Sequence, residues 1–381
     1  MVIENKKKER IKELEILRAI AFIFVLIQHS LGSAPSDFSL QPSIVIIASV
    51  IFVIAETAVP IFLFLTGVTN AYQYGERLDL KKYYKNKIKY ILIPYFIWSA
   101  FNMYWHNPER LGDYFINTIA GNASFHLWYM AMFIRLILIM PFIIYVGRFI
   151  HNKNIFVRIA TFIGGFIGCY YLSMYQGPIQ NTIAEAIFGA PTDVEMRIIS
   201  TSFLFWAFYV FFGVYVGFNY KKIKEYLIKY RYVLYISLIV FFAYKYQVKF
   251  DLVPYNRTKD ILYRSSNIMF WLIVSIKLCE YRVVSKVMSF IAKYSYVGYL
   301  IHIKLLYPFI FTFRGYGIVN PVIVSLLSII CASIYIPVYI CIISLIPKSD
   351  FITGVKWNKR VYDYLNKIFI NKFNSQTNLS E

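Results

Sequence analysis

Acidic residues are scarce. The chain of 381 residues carries 20 aspartates and glutamates against 40 lysines and arginines, giving a formal net charge of +20. Cysteine is rarer still, with four residues, Cys169, Cys279, Cys331 and Cys341, all inside apolar runs. None has the C-x-x-C spacing of a metal site. Cys331 and Cys341 share one run and would lie about 15 Å apart on a helix, too far to bridge. All four read as small buried apolar residues. There is no glycine-rich phosphate loop, no G-x-S-x-G nucleophile elbow, no Cys/His pairing that suggests a thiol nucleophile and no metal motif. Internal repeats are lacking, and so is low complexity before the polar last residues. These absences exclude P-loop and serine-hydrolase chemistry and leave no permanently bound cofactor or metal to expect.

Apolar residues are plentiful instead, at 59%, more than a soluble domain of this size carries. Ten apolar segments reach spanning length, at about 16–34, 44–72, 88–105, 125–147, 155–174, 198–219, 232–248, 262–280, 294–313 and 321–346. The expected fold is all-α and polytopic in the membrane, with residues 1–346 as one transmembrane domain and 347–381 as a tail. Within that tail, residues 356–372 place Trp357, Val361, Tyr364, Leu365 and Ile368 on one helical face, a candidate interfacial amphipathic helix. The N-terminal stretch has the basic lead and small residues of a secretory signal, but nine further apolar segments follow and Arg18 interrupts it, so it reads as the first span.

An even number of spans puts both termini on one side. That side and its loops hold 29 lysines and arginines, the opposite loops eight, and the spans three. The positive-inside rule makes both termini cytoplasmic. The basic clusters are short and flank apolar spans, so they face anionic lipid and not nucleic acid. The stretch 245–264 breaks the rule with five basic residues. It is either long enough to be exempt or binds something anionic.

Ionisable groups within spans are costly and point to function. They are Arg18, His29, Glu56, Arg135, His302 and Lys304, with His126 at a span entrance. Arg18 and His29, in LRAIAFIFVLIQH, are eleven residues apart. At about 100° per residue both face the same way, separated by about 16 Å along the axis. Arg18 would sit at an anion-binding inner mouth and His29 deeper, as a general base, the chemistry left by elimination. Glu56 needs a partner or a proton, with His29, Arg135 and Lys304 as candidates. Pro60 and the pair Thr66-Gly67 suggest a kinked helix whose end approaches a ligand or another backbone. Trp128 and Tyr129, beside His126, read equally as an aromatic belt. His302 and Lys304 point away from each other on one helix. His106 and His151 lie in loops and receive no role.

Five motifs in order make the sequence resemble the acyltransferase 3 family of integral membrane acyltransferases. LRAIAFIFVLIQH resembles the family's arginine, ten residues, histidine signature. FLFLTGV resembles its second-span FF-x-x-SG stretch, with Thr66 for serine. KIKYILIPYFIW resembles R-x-x-x-I-L-I-P-Y, with Lys87 in the arginine position. HLWYM resembles H-L-W-F-L, and YSYVGYLIH resembles S-x-x-x-Y-L-I-H. The likeness is strongest to the IcaC-like branch, associated with polysaccharide intercellular adhesin in Gram-positive bacteria. The resemblance implies transfer of an acyl group, acetyl or else succinyl, from cytoplasmic acyl-CoA to a hydroxyl of a cell-surface or secreted polysaccharide or lipid-linked glycan. It implies a multi-pass plasma-membrane location, in association with glycan synthesis machinery. Arg18 and His29 become the essential pair. Arg18 with the Lys81–Lys89 cluster would hold the donor phosphates. Glu56 would orient or charge His29, and Arg135, Tyr129 or His126 would stabilise the oxyanion. His126, Trp128, Tyr129, Arg135, His302, Thr66 and Lys87 are the expected substrate-binding set. The alternative reading is an exporter of the polysaccharide or of its lipid-linked precursor, which needs no acyl donor.

Overall fold

The computed structural model describes residues 10–37 and 39–357. Among these every regular element is helical. In chain order they are α1 (Lys12–Leu31), α2 (Pro42–Ala55), α3 (Ala58–Tyr74), α4 (Leu80–Lys87), a π-helical turn Ile88–Leu92, α5 (Ile93–His106), α6 (Tyr114–Ile119), α7 (Trp128–His151), α8 (Ile155–Met174), α9 (Gln176–Phe188), α10 (Asp193–Ser200), α11 (Ala207–Phe218), α12 (Tyr220–Lys229), α13 (Arg231–Lys249), α14 (Arg257–Leu278), α15 (Arg282–Gly315), α16 (Pro321–Ile343) and α17 (Asp350–Thr353).

Eight helices or helix pairs are long and apolar enough to cross a membrane, or nine if α12 and α13, bent by 78°, form one span. This differs from the ten segments of the sequence in two places. The segment expected at 88–105 is a π turn joined to α5, which alone has 14 residues. The segment at 232–248 is α13, one arm of the bent pair. The π turn follows from Pro94, which has no N–H for the carbonyl four residues earlier. That carbonyl belongs to Tyr90, and the next one, of Ile91, accepts the Tyr296 hydroxyl at 2.6 Å from outside the helix.

Helix α1 is central. Two-thirds (67%) of its apolar window is buried, against 6% for α8. It packs on α15, α16, α3, α14 and α2. Phe156 and Ile159 of α8, like Ile236 and Ile239 of α13, are exposed, as apolar side chains facing lipid should be.

The second segment of the sequence is two helices, α2 and α3, broken at Glu56-Thr57. The break precedes Pro60 by four residues, where the missing proline N–H leaves a carbonyl open. In a bilayer such carbonyls need internal donors. Tyr263 donates to Val53 O at 2.8 Å, Asn267 to Ile54 O at 3.2 Å, Gln28 to Ala55 O at 2.5 Å and Arg264 to Glu56 O at 3.5 Å. Below the break, α3 presses on α11. A Cβ at Gly67 would stand 2.4 Å from the Val210 carbonyl oxygen. Of the two roles open to the Thr66-Gly67 pair, Gly67 takes close backbone approach.

After α16 the chain folds back. Lys89 pairs with Asp350, and Trp98 donates its indole N–H to Ile352 O at 2.9 Å. Gly354 has φ +61°, and a Cβ there would meet the Tyr90 carbonyl oxygen at 2.6 Å. The amphipathic stretch expected at 356–372 lies outside the described residues beyond Trp357. The four cysteines are unpaired, but only Cys169 is buried, the other three being partly exposed.

Candidate active site

Arg18 and His29 stand on the single unbroken helix α1, about 16 Å apart at 1.5 Å per residue. Each lines a different cavity. The Arg18 cavity measures about 680 Å³. Arg10, Arg18, Lys82, Lys87, Lys293 and Lys356 all contribute to its wall, and no carboxylate among the described residues does. The Arg18 guanidinium has no hydrogen bond to any described residue. Arg10 pairs with Glu15 at 3.8 Å, and the remaining excess of cations around the hollow creates a field that concentrates anions. Burial and the nearby Arg18 pull the Lys87 ammonium down to about 8. Thr66 lies on the same wall, with its hydroxyl donated to Phe62 O of its own helix at 2.7 Å. Tyr129 and Tyr299 also line this cavity.

The His29 cavity measures about 530 Å³ and is lined by Asp37, Tyr307 and Arg314 among others. Behind His29 the structure gathers two more histidines. The His29 ring centroid lies 4.9 Å from that of His302 and 6.5 Å from that of His126, and the last two are 4.8 Å apart. His302 is fully buried. Its Nδ1–H donates to Tyr299 O at 2.6 Å, which fixes the tautomer and leaves Nε2 a lone-pair acceptor with no partner among the described residues. His126 is engaged on both nitrogens, with Ser124 Oγ at 3.1 Å and Leu300 O at 3.4 Å. No group of three or more His, Cys, Asp or Glu among the described residues could hold a metal.

Tyr299 links the two sides. Its ring is 5.4 Å from His302, 5.9 Å from His126 and 5.5 Å from Tyr129. Its hydroxyl donates to the His126 carbonyl. The Tyr129 hydroxyl has no hydrogen bond to a described residue.

Three expected site residues stand elsewhere. Glu56 forms its ion pair with Lys245, at 3.0 Å, and with none of His29, Arg135 or Lys304. Lys245 also binds Asp260 at 2.8 Å, and Asp260 binds Arg264 at 2.8 Å. Glu56 therefore belongs to a charge network beside α14, and the group next to His29 is His302. Two of the five basic residues in 245–264 are neutralised within that network. Arg135 is held through both terminal nitrogens. It donates to Ile198 O at 2.6 Å, Thr201 O at 3.3 Å and Ile119 O at 2.7 Å, the open carbonyls where α10 and α6 end, a favourable place for a cation. It lines neither cavity, so it is not available to an oxyanion there. Trp128 stacks toward Trp206 at 5.8 Å and also lines neither cavity. Lys304 leans over Phe101 at 4.1 Å, away from His302, as their two-residue spacing requires.

Sequence reasoning passed over Tyr299, Lys293 and Lys356. Tyr299 precedes His302 by one helical turn, in a segment already singled out, and that spacing was the available signal. By sequence, Lys293 bears only on orientation and Lys356 on orientation and the amphipathic tail.

Among curated proteins the chain is similar to the probable poly-beta-1,6-N-acetyl-D-glucosamine export protein of Staphylococcus aureus strain Mu50. The two are 24% identical over 322 residues, which is 78% of this chain and 82% of the relative. The protein of the same description from strain MSSA476 matches with the same identity and coverage. No solved structure matches significantly. A family profile described as an acyltransferase domain matches residues 11–342. With most of its length in that match, this multi-pass membrane chain belongs to the acyltransferase 3 family.

Proposed function

We propose that this protein is a membrane-bound O-acyltransferase that moves an acetyl or succinyl group from cytoplasmic acyl-CoA to a hydroxyl of a cell-surface polysaccharide. The observation that carries this reading is one rigid helix presenting a cation to an anion-suited cavity and an imidazole to a second cavity. The excess of lysine and arginine on that side supports a cytoplasmic Arg18 end, and the reading takes the membrane to be the plasma membrane. The names of the relatives suggest a β-1,6-linked N-acetylglucosamine polymer, or its lipid-linked form, as the acceptor.

The donor phosphates bind Arg18 and Lys87, and the thioester arm runs toward Tyr299. The imidazole of His29 takes the proton of the acceptor hydroxyl as its oxygen attacks the thioester carbonyl. The carbonyl oxygen becomes the oxyanion of a tetrahedral intermediate beside His29. The intermediate collapses, the carbon–sulfur bond breaks, and the imidazolium returns its proton to the departing thiolate. His302, with Nδ1–H fixed on Tyr299 O, offers Nε2 to orient His29.

A second reading, export of the polysaccharide, is favoured by the description of the relatives. Purified protein in liposomes separates the two. Labelled acetyl-CoA supplied on one side, with N-acetylglucosamine oligomers, should give labelled oligomer with the wild type and none with His29→Ala that still inserts as a monodisperse protein. Normal acylation by that variant sinks the mechanism. Oligomer flux in the absence of any acyl donor, with no acylation, establishes export instead.

A further inference from the structure

A third cavity, of about 480 Å³, opens between α7, α8 and α11 and is walled by Phe162, Phe166, Phe208 and Val214. It belongs to neither cavity of the candidate active site. Gly164 and Gly165 of α8 form part of its lining, and a Cβ at either would meet nothing within 4 Å. The groove is therefore open along α8, the helix least buried of the candidate spans. Its two ends differ in chemistry. The deep end reaches Cys169, which is buried. The other end carries His151, Arg158 and Asn219. Arg158 is held by a 2.7 Å bond to Asn219 Oδ1, which leaves further guanidinium donors free. His151 stacks on Phe218 at 5.1 Å, and its buried Nδ1 has no partner among the described residues. A hollow of about 990 Å³ that adjoins this end is edged by Arg148, Lys221 and Lys222 and by one carboxylate, Glu76.

An apolar slot with a basic mouth matches one kind of molecule, an amphiphile with a long hydrocarbon chain and an anionic head. From Arg158 to Cys169 is eleven residues, about 16 Å of helix, roughly the reach of a dozen extended chain bonds. The mouth offers forked and point-charge donors suited to phosphate. Tyr72 edges both the adjoining hollow and an Arg18-lined hollow, so the head would lie on the donor side of the protein.

We propose that this groove binds an anionic phospholipid of the surrounding bilayer, with one acyl chain between α8 and α11 and the phosphate at Arg158 and His151. The site needs no assumption about acyl transfer.

Native mass spectrometry of the purified full chain, with phosphatidylglycerol or phosphatidylcholine added, tests it. The wild type should retain phosphatidylglycerol with at least about tenfold preference, the scale of one charge-assisted hydrogen bond. Arg158→Gln should remove that preference while leaving weak binding of both lipids. Gly165→Phe, which fills the slot without touching the mouth, should abolish retention of both. Both variants are checked for a monodisperse, folded state by size exclusion. Equal retention of the two lipids by the wild type overturns the proposal, and so does an unchanged preference in both folded variants. A polyprenyl phosphate that displaces equimolar phosphatidylglycerol also overturns it, because the groove then serves a lipid-linked substrate.

Discussion

Replacing Arg18 by glutamine tests the donor cavity most directly. The guanidinium is unpaired by any described residue, so its loss breaks no internal bond and the effect falls on the ligand. A charge-assisted bond to phosphate contributes about 1.5–3 kcal/mol, which at 1.4 kcal/mol per decade is about 10- to 150-fold in donor affinity. Five other cations line the same wall, so binding weakens without vanishing. Arg18→Lys keeps the charge and loses the fork, and its loss should be smaller. Calorimetric titration of the solubilised protein with acetyl-CoA measures the change. The control is S-acetyl pantetheine, which has the thioester arm but no phosphate. The Arg18→Gln penalty should disappear with that probe. Equal affinity of wild type and variant for acetyl-CoA, or an equal penalty with both probes, refutes a phosphate-reading Arg18. The same cavity predicts that donor affinity falls as salt rises, since the Debye length shrinks to about 8 Å at physiological ionic strength.

Lys87 gives a pH signature. Its ammonium is charged below about 8 and neutral above, so donor affinity should fall between pH 7 and 9, and Lys87→Gln should flatten that step. Asp260 is 1% exposed and holds both Lys245 and Arg264. Asp260→Asn should cost about 3 kcal/mol, the lower end for a broken buried pair because Lys245 keeps Glu56, read as loss of monodisperse protein after heating. Gly67→Ala places a methyl against the Val210 carbonyl and should lower thermal stability, while Gly164→Ala, facing open space, should leave it unchanged. Should the two alanine variants behave alike, the α3–α11 contact is wrong.

Hydropathy made the helices legible, and the 3.6-residue period put Arg18 and His29 on one face. His126 and His302 were recognisable as intramembrane histidines, but not as neighbours of His29. They come from distant helices, and no local spacing encodes their meeting. Glu56 went astray because its partner, Lys245, sits at a span end and reads from charge alone as a loop residue. Arg135 misled for a related reason. The helix ends it caps belong to the short helices α6 and α10, whose open carbonyls leave no hydropathy signal. The break at Glu56-Thr57 was displaced by one turn from Pro60 because proline acts on the carbonyl four residues before it.

Helix α1 is clamped near its C-terminal end by Gln28 on the Ala55 carbonyl and by a 2.5 Å contact between the Ser30 and Ser325 hydroxyls. A rod held this way works as a ruler. Its two marks, Arg18 and His29, cannot slide independently along the axis, so in the proposed reaction the backbone interval between phosphate anchor and base is set by the helix rise. The arm between the phosphate and the sulfur of coenzyme A has about thirteen bonds and extends to about 15 Å, close to the interval on the ruler. A short acyl donor such as acetyl phosphate cannot touch both marks at once. Donor choice would then rest on length as well as charge, read by a helix with no dedicated specificity loop.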